Sequence, residues 1–305
     1  MTTRRTFPPR TRRLSRLAAL GAAAAQGRDK LALADGADAI EGFGDWAEQL
    51  IAESTGKDGT GLLPVVVGSA ADGPQTDDET WVLLLPSDDD NATSAPSDGT
   101  GGESTVGVSG ALGAQLLLWE VATAVAGRLL GINPFDQPDV ESAKQAARDL
   151  LGGGSGAADE PAFVDGDIQV RAAGGDWLGD ASTVSDALRR LIDQLGPTGY
   201  LAVMAYLDRI ADSALADTRV PLATSLGRPV TFGWGPRFLH STGQYHKGGR
   251  PEGVYLQITT EPREDLAVPG RDFTFGEFVS AQAGGDAKVL ADHGRPVLRL
   301  HLTAH

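Results

Sequence analysis

The sequence predicts an α/β fold, a three-layer α/β/α sandwich built on a mostly parallel sheet. Three observations carry this expectation. Short apolar, β-rich runs alternate with segments of helical period along the chain, the pattern of strands joined by crossover helices. The strand-like runs GLLPVVVG (61–68) and TWVLLLP (80–86) are apolar throughout, as expected of strands covered on both faces. Hydrophobic residues make up 41% of the 305 positions, enough for a core in one large or two ordinary domains.

The elements follow in order. Residues 1–13 combine arginines with Pro8 and Pro9 and read as a disordered tail, followed by a helix over Leu14–Gln26. The same arginines, ahead of a brief apolar stretch, also fit a twin-arginine signal. In 36–57, Ile40, Phe43, Trp46, Leu50 and Ile51 fall at helical spacing, and Gly56 ends the helix. The two strands come next. Segments near 86–105 and 152–161 are rich in Gly, Ser and Asp and read as soft linkers. Between them, 116–131 is an apolar helix stopped by Gly131 and Pro134, and Pro138 opens a second helix with Asp139 and Glu141 at its positive end. Thr183 or Ser182 caps a helix over 183–196. Segment 199–207 is a buried strand, 213–227 is partly helical, 253–261 a strand, 274–294 a helix and 296–302 a closing strand.

Charge and composition narrow the chemistry. The net charge is −15, which argues against a nucleic-acid backbone as partner. Local cations can still hold a small anion. No cysteine is present, which removes disulfides, thiolate catalysis and cysteine metal sites, and fits a cytoplasmic protein. No apolar run is long enough for a bilayer. No metal and no cofactor are expected.

Polar clusters on loops and helix ends supply the candidate site. AESTGKDGTG (52–61) is not a Walker loop, because Ile51 and Asp58 stand where Gly and Ser or Thr are required. It leaves Glu53 near a helix end, where a carboxylate opposes the helix dipole; a general base is one reason for it and a solvated surface residue the other. Gln137 and Lys144, seven residues apart, share one helix face and suit a small-molecule anchor or an ordinary exposed turn. The stretch 237–249 reads as a loop. It gathers Arg237, His240, Ser241, Thr242, Gln244, His246 and Lys247, suited to an anionic, hydroxyl-rich ligand with a histidine for proton transfer. It lacks zinc-ligand spacing and a serine elbow.

In order, the segments 43–65, 119–144, 235–249 and 253–259 resemble the C-terminal half of glucose-6-phosphate isomerase, most like the form fused to transaldolase in some bacteria. The signature F-D-Q-x-x-V-E-x-x-K stands here as Phe135, Asp136, Gln137, Val140, Glu141 and Lys144, and E-S-x-G-K as Glu53, Ser54, Gly56 and Lys57. The resemblance runs from about Leu17 to the C-terminus. It implies a sugar-isomerase (SIS-like) domain of flavodoxin-like topology over 14–305 with a C-terminal extension. By resemblance Glu53 is the base that moves a proton between C1 and C2, Gln137 lines the sugar site with Ser54, Thr55 and Lys57, and Lys144 helps open the ring. His246, or else His240, is the ring-opening histidine, and Arg237, Ser241, Thr242 and Gln244 contact substrate. The family's first SIS domain, with its Ser/Thr phosphate loop, has no counterpart. The resemblance therefore implies either an isomerase of glucose 6-phosphate and fructose 6-phosphate that takes the phosphate loop from a partner domain or subunit, or a sugar-phosphate-binding module that is weak or inactive as an enzyme.

Overall fold

The computed structural model describes residues 21–36, 39–69, 71–85, 105–151 and 160–303. The Arg-rich tail and most of both soft linkers lie outside the described residues. Residues 21–25 are helical. The strands and helices then run β1 (Lys30–Asp35), α1 (Phe43–Thr55), β2 (Leu63–Val67), β3 (Glu79–Leu84), β4 (Thr105–Val108), α2 (Leu112–Leu130), α3 (Pro138–Leu151), β5 (Phe163–Asp165), β6 (Ile168–Ala173), α4 (Val184–Ile192), β7 (Tyr200–Tyr206), α5 (Arg219–Leu226), β8 (Val230–Trp234), α6 (Thr242–Gly248), β9 (Gly253–Thr260), α7 (Phe275–Asp292) and β10 (Val297–Leu302).

The α/β class holds, and the strands divide between two sheets. The first is parallel, in the order β2-β1-β3-β4. The second runs β5-β6-β10-β9-β7-β8, parallel from β10 to β8 and antiparallel at the β5 and β6 edge. Ten strands are near the limit for one twisted open sheet, and two sheets let each bury both faces.

Alternation along the strands assigns the cores. Leu31, Leu33 and Val82 face Phe43 and Ile51 of α1 and Trp119 of α2. Their neighbours Ala32, Ala34 and Trp81 turn the other way, into a central core shared with Tyr200, Ala202 and Met204 of β7, Tyr245 of α6 and Leu290 of α7. Leu201, Val203, Leu298 and Leu300 line the far face of the second sheet, under α4 and α5. The central core therefore makes one packed body of the two sheets.

Local signals act where the sequence placed them. Gly131 ends α2 in the left-handed conformation (φ 77°), which only glycine adopts without strain. Pro138 opens α3, and Thr183 caps α4 by accepting from the Asp186 amide. Thr274 and Glu277 form a reciprocal capping box on α7. The 237–249 stretch differs from its loop reading. Arg237–His240 forms a 3-10 turn and 242–248 is helix α6, almost wholly buried. Packing against the central core outweighs its glycine-rich local preference.

A buried ion cluster ties the sheets at the amino ends of β1 and β9. Lys30 Nζ lies 2.8 Å from Asp29, 3.1 Å from Asp78 and 2.7 Å from Glu252. Arg228 grips Asp78 with both terminal nitrogens, at 3.1 and 2.7 Å. Lys30→Met leaves these buried carboxylates short of a cation and is expected to cost about 3–5 kcal/mol. The exposed Lys288–Asp292 pair supplies the control: Lys288→Met is expected to cost under about 1 kcal/mol. Urea denaturation of the two variants tests this; equal losses would show that the cluster is not a tie.

Candidate functional site

Helix α1 ends at the candidate site because Gly56 stops it. A Cβ there would run into the backbone of Tyr245 in α6, so the close approach of the two helices requires glycine. The chain then turns, and Thr55, buried, holds the turn by accepting from the Leu62 amide at 3.0 Å. Glu53 is half-buried on the last turn of α1, with Ser54 beside it.

The turn between α2 and α3 meets this helix end. Gln137 Nε2 donates to Glu53 Oε2 at 3.3 Å, across 84 residues of chain. Lys57, its side chain buried, donates to the carbonyl of Asp136 and to Asp136 Oδ1, the latter at 3.0 Å. Asn133 donates to the other oxygen of Asp136 at 3.0 Å, which fixes the turn. Gln244 of α6 completes the junction, donating to the Gly56 carbonyl at 2.8 Å and to Asp139 Oδ2 at 2.7 Å. One amide thus holds the end of α1 and the first turn of α3 together.

Burial raises the Glu53 carboxyl above its ordinary value, opposed by a hydrogen bond from Gln49 and by the charges of Lys144 and Lys57. Lys144 is exposed and pairs with Glu141 at 2.8 Å. The structure thus brings Glu53, Lys57, Gln137 and Gln244 together, with Lys144 near enough for its charge to act on Glu53.

The remaining sequence-derived residues are placed differently. His246 is 2% exposed, its ring packed 5.3 Å from Tyr255 and 6.0 Å from Tyr200, between centroids. Neither ring nitrogen has a hydrogen-bond partner among the described residues, and burial pushes its pKa well down, which favours the neutral form. Solvent-accessible proton transfer at His246 is incompatible with this position. His240 and Arg237 are exposed on the 3-10 turn, while Ser241 and Thr242 are buried at the start of α6. Lys247 is sealed against Asp286 at 2.6 Å.

Two participants were not legible from local sequence pattern. Asp139 acts through Gln244, and only the fold brings them together. Glu48, one turn and a half before Glu53 on α1, is buried and hydrogen-bonded to Ser241; desolvation, then Asp45, push its carboxyl up to about 7 against the Ser241 bond and Arg237. A raised carboxylate destabilises the fold as pH rises, since the unfolded chain ionises first. Stability should therefore fall between the ordinary glutamate value and about pH 7. Glu48→Gln is expected to remove that fall, gaining up to about 3 kcal/mol over the parent at pH 8 and little at pH 4.5. Parallel pH profiles for the two proteins would show that Glu48 ionises freely.

No family model matches the chain. A protein of Halobacterium salinarum named "Probable glucose-6-phosphate isomerase" is 31% identical over 160 residues, 38% of this chain and 37% of that protein. One of Natronomonas pharaonis with the same name is 30% identical over 161 residues, 39% and 37% of the two chains. The chain thus matches little more than a third of the length of these relatives, and over that segment it is distantly related to proteins named as probable glucose-6-phosphate isomerases. Among solved structures, a hypothetical protein from Thermus thermophilus aligns with 95% of this chain and 76% of its own, at 13% identity and a TM-score of 0.36. No helix among the described residues is long and apolar enough to cross a membrane.

Proposed function

We propose that the chain is a sugar-phosphate aldose–ketose isomerase of the glucose-6-phosphate isomerase type, with Glu53 as the base. The observation that carries this reading is the contact between Glu53 and Gln137, which joins the two signature segments at one point. The partial relationship to proteins named as such isomerases supports it.

The mechanism follows from the groups present. The Glu53 carboxylate takes the proton from C2 of the open-chain aldose. The electron pair moves into the C1–C2 bond and gives a cis-enediol, and the carboxylic acid then returns the proton at C1 to give the ketose. Desolvation makes Glu53 a better base, and the charges of Lys144 and Lys57 favour its ionised form. The amide of Gln137 fixes one carboxylate oxygen and so orients the base. Lys144 gives up its exposed bond to Glu141 to serve the ring oxygen; of the two histidines, His240 is the one solvent reaches and the one this mechanism can use. Ser54 and Lys57 line the same end of α1. The phosphate-holding loop comes, in this reading, from a partner domain or subunit.

A second reading, sugar-phosphate binding without turnover, is favoured by one observation: His246, the histidine first assigned by resemblance to ring opening, is sealed in the core. A coupled isomerase assay of the chain, alone and with a supplied first SIS domain, separates the readings. Turnover in either case supports the enzyme, and binding without turnover in both supports the module. Where turnover is seen, Glu53→Gln should lower it by about 10²–10⁴-fold and abolish exchange of the C2 proton with solvent. Lys144→Ala should cost less, and His240→Ala less again. Undiminished exchange in Glu53→Gln would assign the base elsewhere.

A further inference from the structure

Helix α2 carries an apolar face that the described residues leave open. A helix lying on a sheet is expected to be apolar toward the core and polar toward solvent. α2 is apolar on both sides. Trp119, Ala122 and Ala126 are buried in the core shared with α1, and Gln115 and Thr123 are buried with them. Leu117, Val121, Val125 and Leu129 face outward, Leu117 exposed to 62% and Leu129 to 50%. The only charged residues of the helix are Glu120 and Arg128, both exposed.

The four outward residues recur at intervals of four. Each step advances about 40° round the helix axis, so they form one continuous row. Rows of this spacing are the ridges that interlock when two helices cross. The row is symmetric about a point between Val121 and Val125. If a second copy of α2 is turned end for end about that point, Leu117 meets Leu129 of the other copy and Val121 meets Val125.

The charges follow the same symmetry. Glu120 stands one residue before Val121, and Arg128 one residue before Leu129, so both lie on one flank of the row. A two-fold axis sets like flanks against each other. The acid of each copy then comes alongside the arginine of the other, twice in the pair. A segment of the chain's own fits this flank less well. Helical residues 21–25 border the row, since a Cβ on Gly21 would strike the Leu129 side chain. The stretch ahead of them carries six arginines and would find a single acid on α2, with Arg128 beside the row.

We propose that α2 is the contact surface of a homodimer, in which two copies of the helix pack antiparallel about a two-fold axis between Val121 and Val125. The apolar row supplies the burial, and the paired Glu120 and Arg128 select the antiparallel direction. One helix pair covers less than the roughly 1,600 Å² of a standard interface, so the dimer is reversible. The inference stands on α2 alone and does not depend on the role of Glu53.

Sedimentation equilibrium of the full chain between roughly 1 and 100 µM tests it. A concentration-dependent dimer is expected. Val121→Glu should leave a monomer throughout, and should melt no lower than the parent at high dilution, because Val121 faces solvent in the monomer. Glu120→Arg and Arg128→Glu should each weaken the dimer about tenfold or more, by setting like charges together at two places. The double variant restores opposite charges and should return the dissociation constant to within about threefold of the parent. If Val121→Glu melts lower, this charge exchange decides, since it alters no apolar residue. A parent that stays monomeric at the highest concentration would overturn the proposal. In that case a lower melting point of Val121→Glu would assign the row to residues 1–20. Binding of a supplied first SIS domain by the parent but not by Val121→Glu would assign it to that domain. A dimer that survives Val121→Glu, or a double variant no tighter than the single ones, would likewise overturn the antiparallel α2 contact.

Discussion

Everything else in the molecule hangs on one buried cation. Lys30 is the first residue of β1, is 1% exposed, and meets Asp29, Asp78 and Glu252. Burial alone would push its ammonium down; Asp29 and Glu252 hold it above its usual value. Against desolvation, hydrogen bonds from Arg228 and Thr76 and the charge of Lys30 bring the Asp78 carboxyl to about 2. These groups come from the amino end of β1, the approach to β3, the approach to β8 and the approach to β9. Such a cluster contributes little net free energy against an apolar replacement. Its geometric demand is large, because each carboxylate must find its cation or remain an uncompensated charge. The two sheets are therefore fixed to each other at their amino ends, and register in one is referred to the other.

From that tie the central core extends to α6, and α6 is the piece that turns packing into a site. Seven residues do not make a stable helix in isolation. This one persists because Tyr245 fills the core against Tyr200, Lys247 is neutralised by Asp286 of α7, and the Tyr255 hydroxyl donates to the His246 carbonyl at 2.9 Å. Gln244, on the same short helix, then meets Gly56 and Asp139. The position of Glu53 relative to Gln137 is thus inherited from the core through one amide side chain. Two polar side chains of the buried run STGQYHKGG are satisfied in this way, Gln244 by the end of α1 and the first turn of α3, and Lys247 by Asp286.

The sequence made this only partly legible, and the failures have physical causes. Strands β2, β3 and β7 were readable because both their faces are buried and the runs are apolar, and β9 and β10 because aliphatic residues alternate along them. β1 was not, since KLALAD begins in the lysine of the ion cluster and ends in an aspartate. β6, IQVRAA, carries the half-buried Gln169 and Arg171, so its pattern looks like a surface. β8 contains Gly233, where a side chain would strike Phe238. Helix ends were readable because caps are local: Gly56, Gly131, Pro138 and Thr183 each act within a few residues. Glu53, Gln137 and Lys57 were found through short motifs. The burial of His246 and the bridge from Gln244 to Asp139 depend on contacts made far apart in sequence, which no local pattern carries.

Charge is the last constraint, and it acts differently at the two depths of the molecule. With a net charge of −15 the chain repels anions at long range. Solvent ions screen that repulsion beyond roughly 8 Å at physiological ionic strength. Inside the protein the nearest cations dominate, because the local dielectric is low and their distances are short. Lys144 and Lys57 act in this way on Glu53. There a neutral amide sits beside the charged group, Gln137 on Glu53. An amide orients a charged side chain without cancelling its charge. An ion-pair partner would orient it equally well and leave a neutral pair with little to offer a charged ligand. The Lys30 cluster and the Lys247–Asp286 pair show that alternative, and both lie where the chain only needs to hold together.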